Sequence, residues 1–126
     1  MDIFFEIHAG LPREGPGDSQ STFKALSLLN DLPPNPLFLD IGCGPGKQAF
    51  DLATQTQGRL IALDNHKTFL ETLRHQSNLV GKNTTISLVC ASMFDLPFPE
   101  HCFDCIWSEG AVYILGFEEG LRKWKR

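Results

Sequence analysis

The stretch that decides the fold is Leu39-Asp40-Ile41-Gly42-Cys43-Gly44-Pro45-Gly46. An apolar run that ends in a glycine-rich turn is typical of a buried parallel strand that leads into a helix. Glycines let the backbone turn sharply and approach a ligand closely. The helix that follows presents its N-terminal N–H groups at the same place. The stretch therefore predicts a ligand site at the carboxyl edge of a parallel sheet.

Outward from this turn, strand-like and helix-like segments alternate along the chain. Apolar runs bounded by glycine or proline predict strands over Leu37–Ile41, 59–63, 85–90 and 103–108. Helical spacing predicts helices over 20–30, 47–56 and 66–79, and another from Phe117 with Phe117, Leu121 and Trp124 on its apolar face. This alternation predicts an α/β fold, with a doubly wound, mostly parallel Rossmann-like sheet in a three-layer sandwich.

The composition excludes several classes of protein. Hydrophobic residues make up 42% of the 126 residues and charged residues 21%, which is ordinary for a globular domain. The net charge of −4 argues against a nucleic-acid partner. No apolar run of about 18 residues and no signal-like start are found, so we expect no membrane partner and a cytoplasmic location. The basic cluster from Arg122 to Arg126 is interpreted as a solvated helix face.

The four cysteines raise the question of a metal site. Cys102 and Cys105 have the spacing of metal ligands, and His101 lies beside them. Strand residues three apart point to opposite faces, whereas zinc ligands must converge. We therefore predict no metal, and we expect Cys43, Cys90, Cys102 and Cys105 to be free thiols.

A second carboxylate narrows the class of ligand. Asp64 ends the second predicted strand, 20 residues after Gly44, where a carboxylate can accept hydrogen bonds from both hydroxyls of a ribose. Lys47 stands where a dinucleotide fingerprint has its third glycine, and Gln48 breaks the phosphate-loop pattern. A nucleoside without a pyrophosphate thus fits better than NAD or ATP. The alternative is a glycine turn with a purely structural role.

These motifs together resemble a known family. The stretch 39–46 resembles motif I of the class I S-adenosylmethionine-dependent methyltransferases, and the likeness continues through 62–66, 91–98 and 103–110. Residues 11–21 and 109–111 are similar to the ubiquinone-biosynthesis-like group of small-molecule methyltransferases. The resemblance implies methyl transfer from S-adenosylmethionine, with S-adenosylhomocysteine as product, to an unidentified small-molecule acceptor. It assigns no catalytic residue.

The resemblance also implies roles for residues around the methionine part of the cofactor. Asp40 would lie near the amino group, and Glu109 would meet the sulfonium region. The remaining residues implied at this end are Gly42, Cys43, Gly44 and Gly46 of the turn, and Gly15, Pro16 and Gly17, which would close over the carboxylate.

At the adenosine end, the resemblance implies four residues. Asp64 would hold the ribose and Asn65 would border the adenine. Met93 would pack on the ring face, and Ser92 would bond the exocyclic amine. Because the family most often has an acid where Ser92 stands, this bond would be weaker.

Two other expectations come from the length of the chain. The family fold has about seven strands, so we expect residues 1–126 to be one cofactor-binding domain that lacks its C-terminal strands. The fourth strand would then be a sheet edge, and we expect self-association through it. The rival hypotheses are a cofactor-binding fragment or non-enzymatic interaction module with the same half-sheet, and an NAD-dependent oxidoreductase, which Lys47 disfavours.

Overall fold

The structure, a computed structural model, describes residues 18–81, 85–109 and 116–124. Its strands are β1 (Leu37–Ile41), β2 (Arg59–Asp64), β3 (Ile86–Cys90) and β4 (Cys105–Trp107). Its helices are α1 (Ser19–Ser27), α2 (Lys47–Gln55), α3 (Lys67–Leu79) and α4 (Phe117–Trp124). None of the helices in these ranges is long and apolar enough to cross a membrane.

The four strands form one parallel sheet in the order β3-β2-β1-β4. From β1 the chain first moves outward through β2 to β3, and then returns to place β4 on the other side of β1. The predicted doubly wound parallel sheet is thereby confirmed. The reversal makes the carboxyl ends of β1 and β4 the switch point, where ligands bind in open α/β sheets.

The first face of the sheet is closed by α1, α2 and α3. Phe38, Leu60 and Trp107 on this face lie in one buried cluster with Leu52 of α2 and Leu73 of α3. Both leucines are fully buried, and burial of such a side chain contributes about 1.5–3 kcal/mol. This cluster holds α2 and α3 against the strands whose ends carry the glycine turn and Asp64.

The second face is covered less completely. Leu39, Ile41 and Leu63 form its buried cluster with Trp124 of α4, and the segment between β3 and β4 packs on them. In that segment the rings of Phe98 and Phe103 meet edge to face, with centroids 5.0 Å apart. An open cleft of about 610 Å³ remains between this segment and α4. The sandwich therefore has one sealed side and one partly open side.

Several element bounds differ from the prediction by one residue, and three differences are larger. The fourth strand spans only Cys105–Trp107 instead of 103–108, because the Asp104 side chain accepts the Leu37 N–H at 2.8 Å and bends the chain before the strand begins. Helix α1 ends at Ser27 instead of residue 30, since Leu28 donates to the carbonyl of Ala25 and the last turn tightens. Leu121, predicted on the apolar face of α4, is 56% exposed.

Candidate functional site

The turn after β1 is built by glycines in left-handed conformations. The φ angles are +71° at Gly42, +56° at Gly44 and +99° at Gly46. The N–H groups of Gly42 and Cys43 both donate to the carbonyl of Leu63, at 2.8 and 3.0 Å. These bonds fold the turn over the end of β2, so the predicted loop and the predicted ribose carboxylate lie side by side.

Close packing fixes the far end of the turn. A Cβ added to Gly46 would lie 2.3 Å from Cδ1 of Leu73, so α3 packs directly on the backbone there. The amide of Gln48 donates to the carbonyl of Cys43 at 2.8 Å, which ties the first turn of α2 back to the loop. Helix α2 thus begins at a rigid glycine turn with its N-terminus at the switch point.

Asp64 links the turn to the start of α3. Its Oδ2 accepts the Gly44 N–H at 2.9 Å and its Oδ1 accepts the His66 N–H at 2.9 Å. The residue is 6% exposed. Burial raises the pKa of this carboxyl, although the bonds from His66 and Gly44 act in the opposite direction. A carboxylate has about four lone-pair sites, so both oxygens keep capacity for further donors.

The ends of β2 and β3 bring the predicted adenosine-end residues together. Asp64 pairs with Cys90 across the strands, and the Ala91 N–H donates to the carbonyl of Asp64 at 3.1 Å. Asn65 is exposed beside this edge. The Oγ of Ser92 accepts the backbone N–H of Phe94 at 3.1 Å. The hydroxyl of Ser92 is therefore already an acceptor within its own loop.

Met93 lies at the border of this edge and the second sheet face. Its side chain packs against the buried cluster of Leu39, Ile41 and Leu63, and it lines the cleft beside α4. Its carbonyl accepts the indole N–H of Trp124 at 3.3 Å. The contact of Met93 with an adenine ring stays a prediction.

Two carboxylates lie at the ends of β1 and β4. Asp40 is fully buried on β1, with Trp107 of β4 as its cross-strand neighbour. The carboxylate of Glu109 accepts the Thr22 hydroxyl at 2.8 Å and the Trp107 indole N–H at 2.9 Å. Trp107 is 8% exposed, so its side chain belongs to the core while its indole N–H makes this polar bond.

Some predicted residues lie outside the described ranges, and some partners escaped prediction. Gly15, Pro16 and Gly17 belong to the first group. The hydrogen-bonding roles of Thr22 and Gln48 were not predicted. Thr22 is 87 positions from Glu109, so no spacing rule could have paired them. Gln48 lies in the first turn of the helix after the glycine loop, and only its polar side chain at that position could have indicated a bond back to the loop.

The cysteines carry free thiols in the structure. Burial and the charge of Asp104 raise the pKa of Cys105 to about 11. Across residues 18–81, 85–109 and 116–124, no group of three His, Cys, Asp or Glu side chains is placed to hold a metal ion. The candidate site is built from the glycine turn and from carboxylates near the ends of β1, β2 and β4.

Comparison with known proteins identifies the family. The family model described as "Methyltransferase domain" matches residues 38–126, a range that starts within β1 and includes the glycine turn, Asp64 and Glu109. The chain belongs to this methyltransferase family. Its fold and motifs are those of the class I S-adenosylmethionine-dependent members, as the resemblance implied.

Relatives and solved structures agree with this assignment. The chain is 29% identical over 83 residues to the sterol 24-C-methyltransferase of Pneumocystis carinii (strain B80), and the match covers 66% of this chain and 22% of that protein. The crystal structure of YjhP from E. coli is similar with a TM-score of 0.76 at 18% identity, covering 95% of this chain and 50% of that one. The matched part of the chain thus spans 22% of the length of the sterol methyltransferase and 50% of the YjhP chain.

A further solved structure was determined with ligands. Geranyl diphosphate C-methyltransferase from Streptomyces coelicolor A3(2), in complex with Mg²⁺, geranyl diphosphate and S-adenosyl-L-homocysteine, is similar with a TM-score of 0.65 at 16% identity. The similarity covers 71% of this chain and 34% of that chain. At this level of identity the likeness concerns the fold.

Proposed function

We propose that this chain is the cofactor-binding part of an S-adenosylmethionine-dependent methyltransferase that acts on a small-molecule acceptor. The observation that carries the proposal is the bond between Asp64 and the N–H of Gly44, at 2.9 Å. It fixes a carboxylate beside a glycine turn, at the carboxyl edge of a doubly wound sheet. That pair is what a nucleoside needs: an acceptor for two ribose hydroxyls, and a backbone that allows close approach.

The residues present fit this cofactor. The two backbone bonds to Asp64 leave acceptor capacity on both oxygens. Asp40 and Glu109 add carboxylates at the ends of β1 and β4, and opposite charge favours a cationic ligand. A pyrophosphate would have to share this edge with three carboxylates, which disfavours NAD.

Methyl transfer from a sulfonium needs little general acid–base catalysis by the protein. When bound, S-adenosylmethionine supplies a methyl carbon on a sulfonium sulfur, which an acceptor nucleophile displaces directly. The protein must align the two reactants and exclude water, because a well-oriented pair reacts far faster than two molecules that meet in solution. The glycine turn, fixed by Leu73 and Gln48, supplies a rigid floor for this alignment. We assign no catalytic base.

A small-molecule acceptor is supported by the relatives. The Pneumocystis carinii relative is a sterol methyltransferase, and the Streptomyces coelicolor structure contains geranyl diphosphate. The acceptor of this chain stays unassigned. The second candidate is a cofactor-binding fragment without turnover, which is favoured by the cleft beside α4, because an open sheet face gives an acceptor little enclosure.

Calorimetry separates these candidates. We expect the chain to bind S-adenosylmethionine and S-adenosylhomocysteine and not NAD; binding of NAD alone would overturn the proposal. A methyl-transfer assay on this chain beside a longer version with further C-terminal strands then separates enzyme from fragment. Cofactor binding without transfer by the short chain, together with transfer by the long one, is the result expected of a fragment.

A further inference from the structure

A buried hydrogen-bond cluster joins α1 to the end of β4. The Thr22 hydroxyl lies 3.1 Å from Oε1 and 2.8 Å from Oε2 of Glu109. The indole N–H of Trp107 donates to the same Oε2 at 2.9 Å. Thr22 is 1% exposed and Trp107 is 8% exposed, whereas Glu109 is half-buried. The hydroxyl of Thr22 and the indole of Trp107 are both uncharged donors to this carboxylate.

The end of β4 lies at the switch point. Trp107 lies opposite Asp40, and the Ser108 hydroxyl donates to the carbonyl of Ile41 at 3.1 Å. Glu109 is the next residue along the chain, so it follows β4 as the glycine turn follows β1. The proposed function assigns this turn to the methionine part of the cofactor.

We propose that Thr22 is a positioning residue, which holds the charge of Glu109 where it favours a sulfonium over a neutral thioether. This inference rests on the proposed function. A glutamate side chain has three rotatable bonds, and ordering it costs conformational entropy. Two directional bonds from a helix and a strand restrict those rotations before a ligand arrives. Because the site is partly shielded from water, the fixed charge acts on a nearby cation more strongly than it would in solvent.

A simpler role would be mechanical. The bond between Thr22 and Glu109 would then only attach α1 to the sheet, and its loss would lower stability or weaken every ligand equally. The positioning role has a different signature. S-adenosylmethionine carries a sulfonium charge and S-adenosylhomocysteine does not, so only a positioning role changes the ratio of their affinities.

The test measures both dissociation constants by calorimetry for Thr22→Val, which keeps the side-chain volume and removes the hydroxyl. The control is Thr72→Val in α3. The hydroxyl of Thr72 donates to the carbonyl of Thr68 at 3.1 Å, four residues earlier in the same helix, and Thr72 is half-buried. We expect Thr22→Val to lower the preference for S-adenosylmethionine by about 2- to 10-fold. Thr72→Val and Thr22→Ser should keep it.

Three further outcomes would overturn the inference. If Thr22→Val does not fold, Glu109→Gln removes the charge and keeps an oxygen for both donors, and it should lower the same ratio; an unchanged ratio overturns the inference. Equal weakening of both ligands in Thr22→Val also overturns it and leaves the proposed function intact. If the unmodified chain binds neither ligand, the proposed function and the role of Thr22 both fail.

Discussion

The carboxylate of Asp64 and the backbone N–H of Gly44 lie 2.9 Å apart, although 20 positions separate them in the chain. The bond joins the two features by which the sequence indicates a nucleoside site. It also means that Asp64 supports the shape of the glycine turn before any ligand binds. Loss of this carboxylate should therefore affect both ligand affinity and the local backbone.

Removing the carboxylate should weaken nucleoside binding. We expect Asp64→Ala to reduce the affinity for S-adenosylhomocysteine by about 1.5–3 kcal/mol, because hydrogen bonds to charged groups contribute that much. Asp31→Ala is the matched control, since Asp31 is exposed in the turn before β1. Calorimetry under conditions where circular dichroism shows a folded chain is the measurement. A loss below about 0.5 kcal/mol would count against the ribose role.

The buried carboxyl of Asp64 should also give stability a particular pH dependence. Burial raises its pKa above the ordinary value of 3.8, so the folded state binds its proton more tightly than the unfolded state. The contribution of this group to stability is then complete below pH 3.8 and is lost as the pH rises through the folded-state pKa. The difference in unfolding free energy between wild type and Asp64→Ala should thus shrink from pH 4 toward neutrality. A difference that grows over this range would contradict the burial.

The glycine turn can be tested against a glycine elsewhere with the same backbone handedness. Gly44 and Gly81 have φ angles of +56° and +73°, and a Cβ at Gly81 would meet nothing within 4 Å. Valine should be strained at both positions. Gly44→Val should abolish binding of S-adenosylhomocysteine, whereas Gly81→Val should keep it. Retained binding in folded Gly44→Val would remove the basis for motif I.

The thiols should differ in reactivity. At pH 8 only roughly one in a thousand Cys105 side chains would be a thiolate, since the pKa is about 11. Cys90 is exposed, and Cys43 is buried in the glycine turn. We expect iodoacetamide to modify Cys90 first, and S-adenosylhomocysteine to slow that modification because Cys90 adjoins Asp64 and Asn65. Peptide mass mapping measures both; equal rates at Cys90 and Cys105 would contradict the first expectation.

The outer edge of β4 should promote self-association. β4 is an edge of the sheet that the structure describes, and edges carry backbone groups able to pair with another strand. The Asp104 N–H points to β1, so in a parallel ladder the N–H of Cys105 points outward. We expect oligomers in sedimentation velocity at micromolar concentration, and monomers for Cys105→Pro, with Cys105→Ala as control. A monomeric wild type would contradict the edge hypothesis.

Local chemistry explains which elements could be predicted. The bounds of β1 agree with the prediction because Pro36 and Gly42 flank a run in which every residue except Asp40 is apolar. α3 begins one residue after the predicted start, and its range could be predicted because the apolar residues Phe69, Leu70 and Leu73, which are buried, have helical spacing. β4 could not be placed correctly, since Phe103 continues the apolar pattern but packs on Phe98 instead of extending the strand.

The site followed a similar division. The glycine turn and Asp64 could be predicted because each directly follows or ends a predicted strand, and the ends of neighbouring parallel strands lie at the same edge of the sheet. The bonds of Thr22 and Trp107 to Glu109 depend on tertiary packing. No local preference specifies which helix residue will face a strand end 87 positions away.

The unequal covering of the two sheet faces sets how freely the sequence can vary. On the sealed face, Leu60 is 3% exposed among side chains from two helices, so added volume there forces neighbours out of place. On the other face, Ile106 borders the cleft beside α4, which has space for a bulkier side chain. Substitutions that add volume should therefore be tolerated better on the open face, where they leave the packing around the glycine turn unchanged.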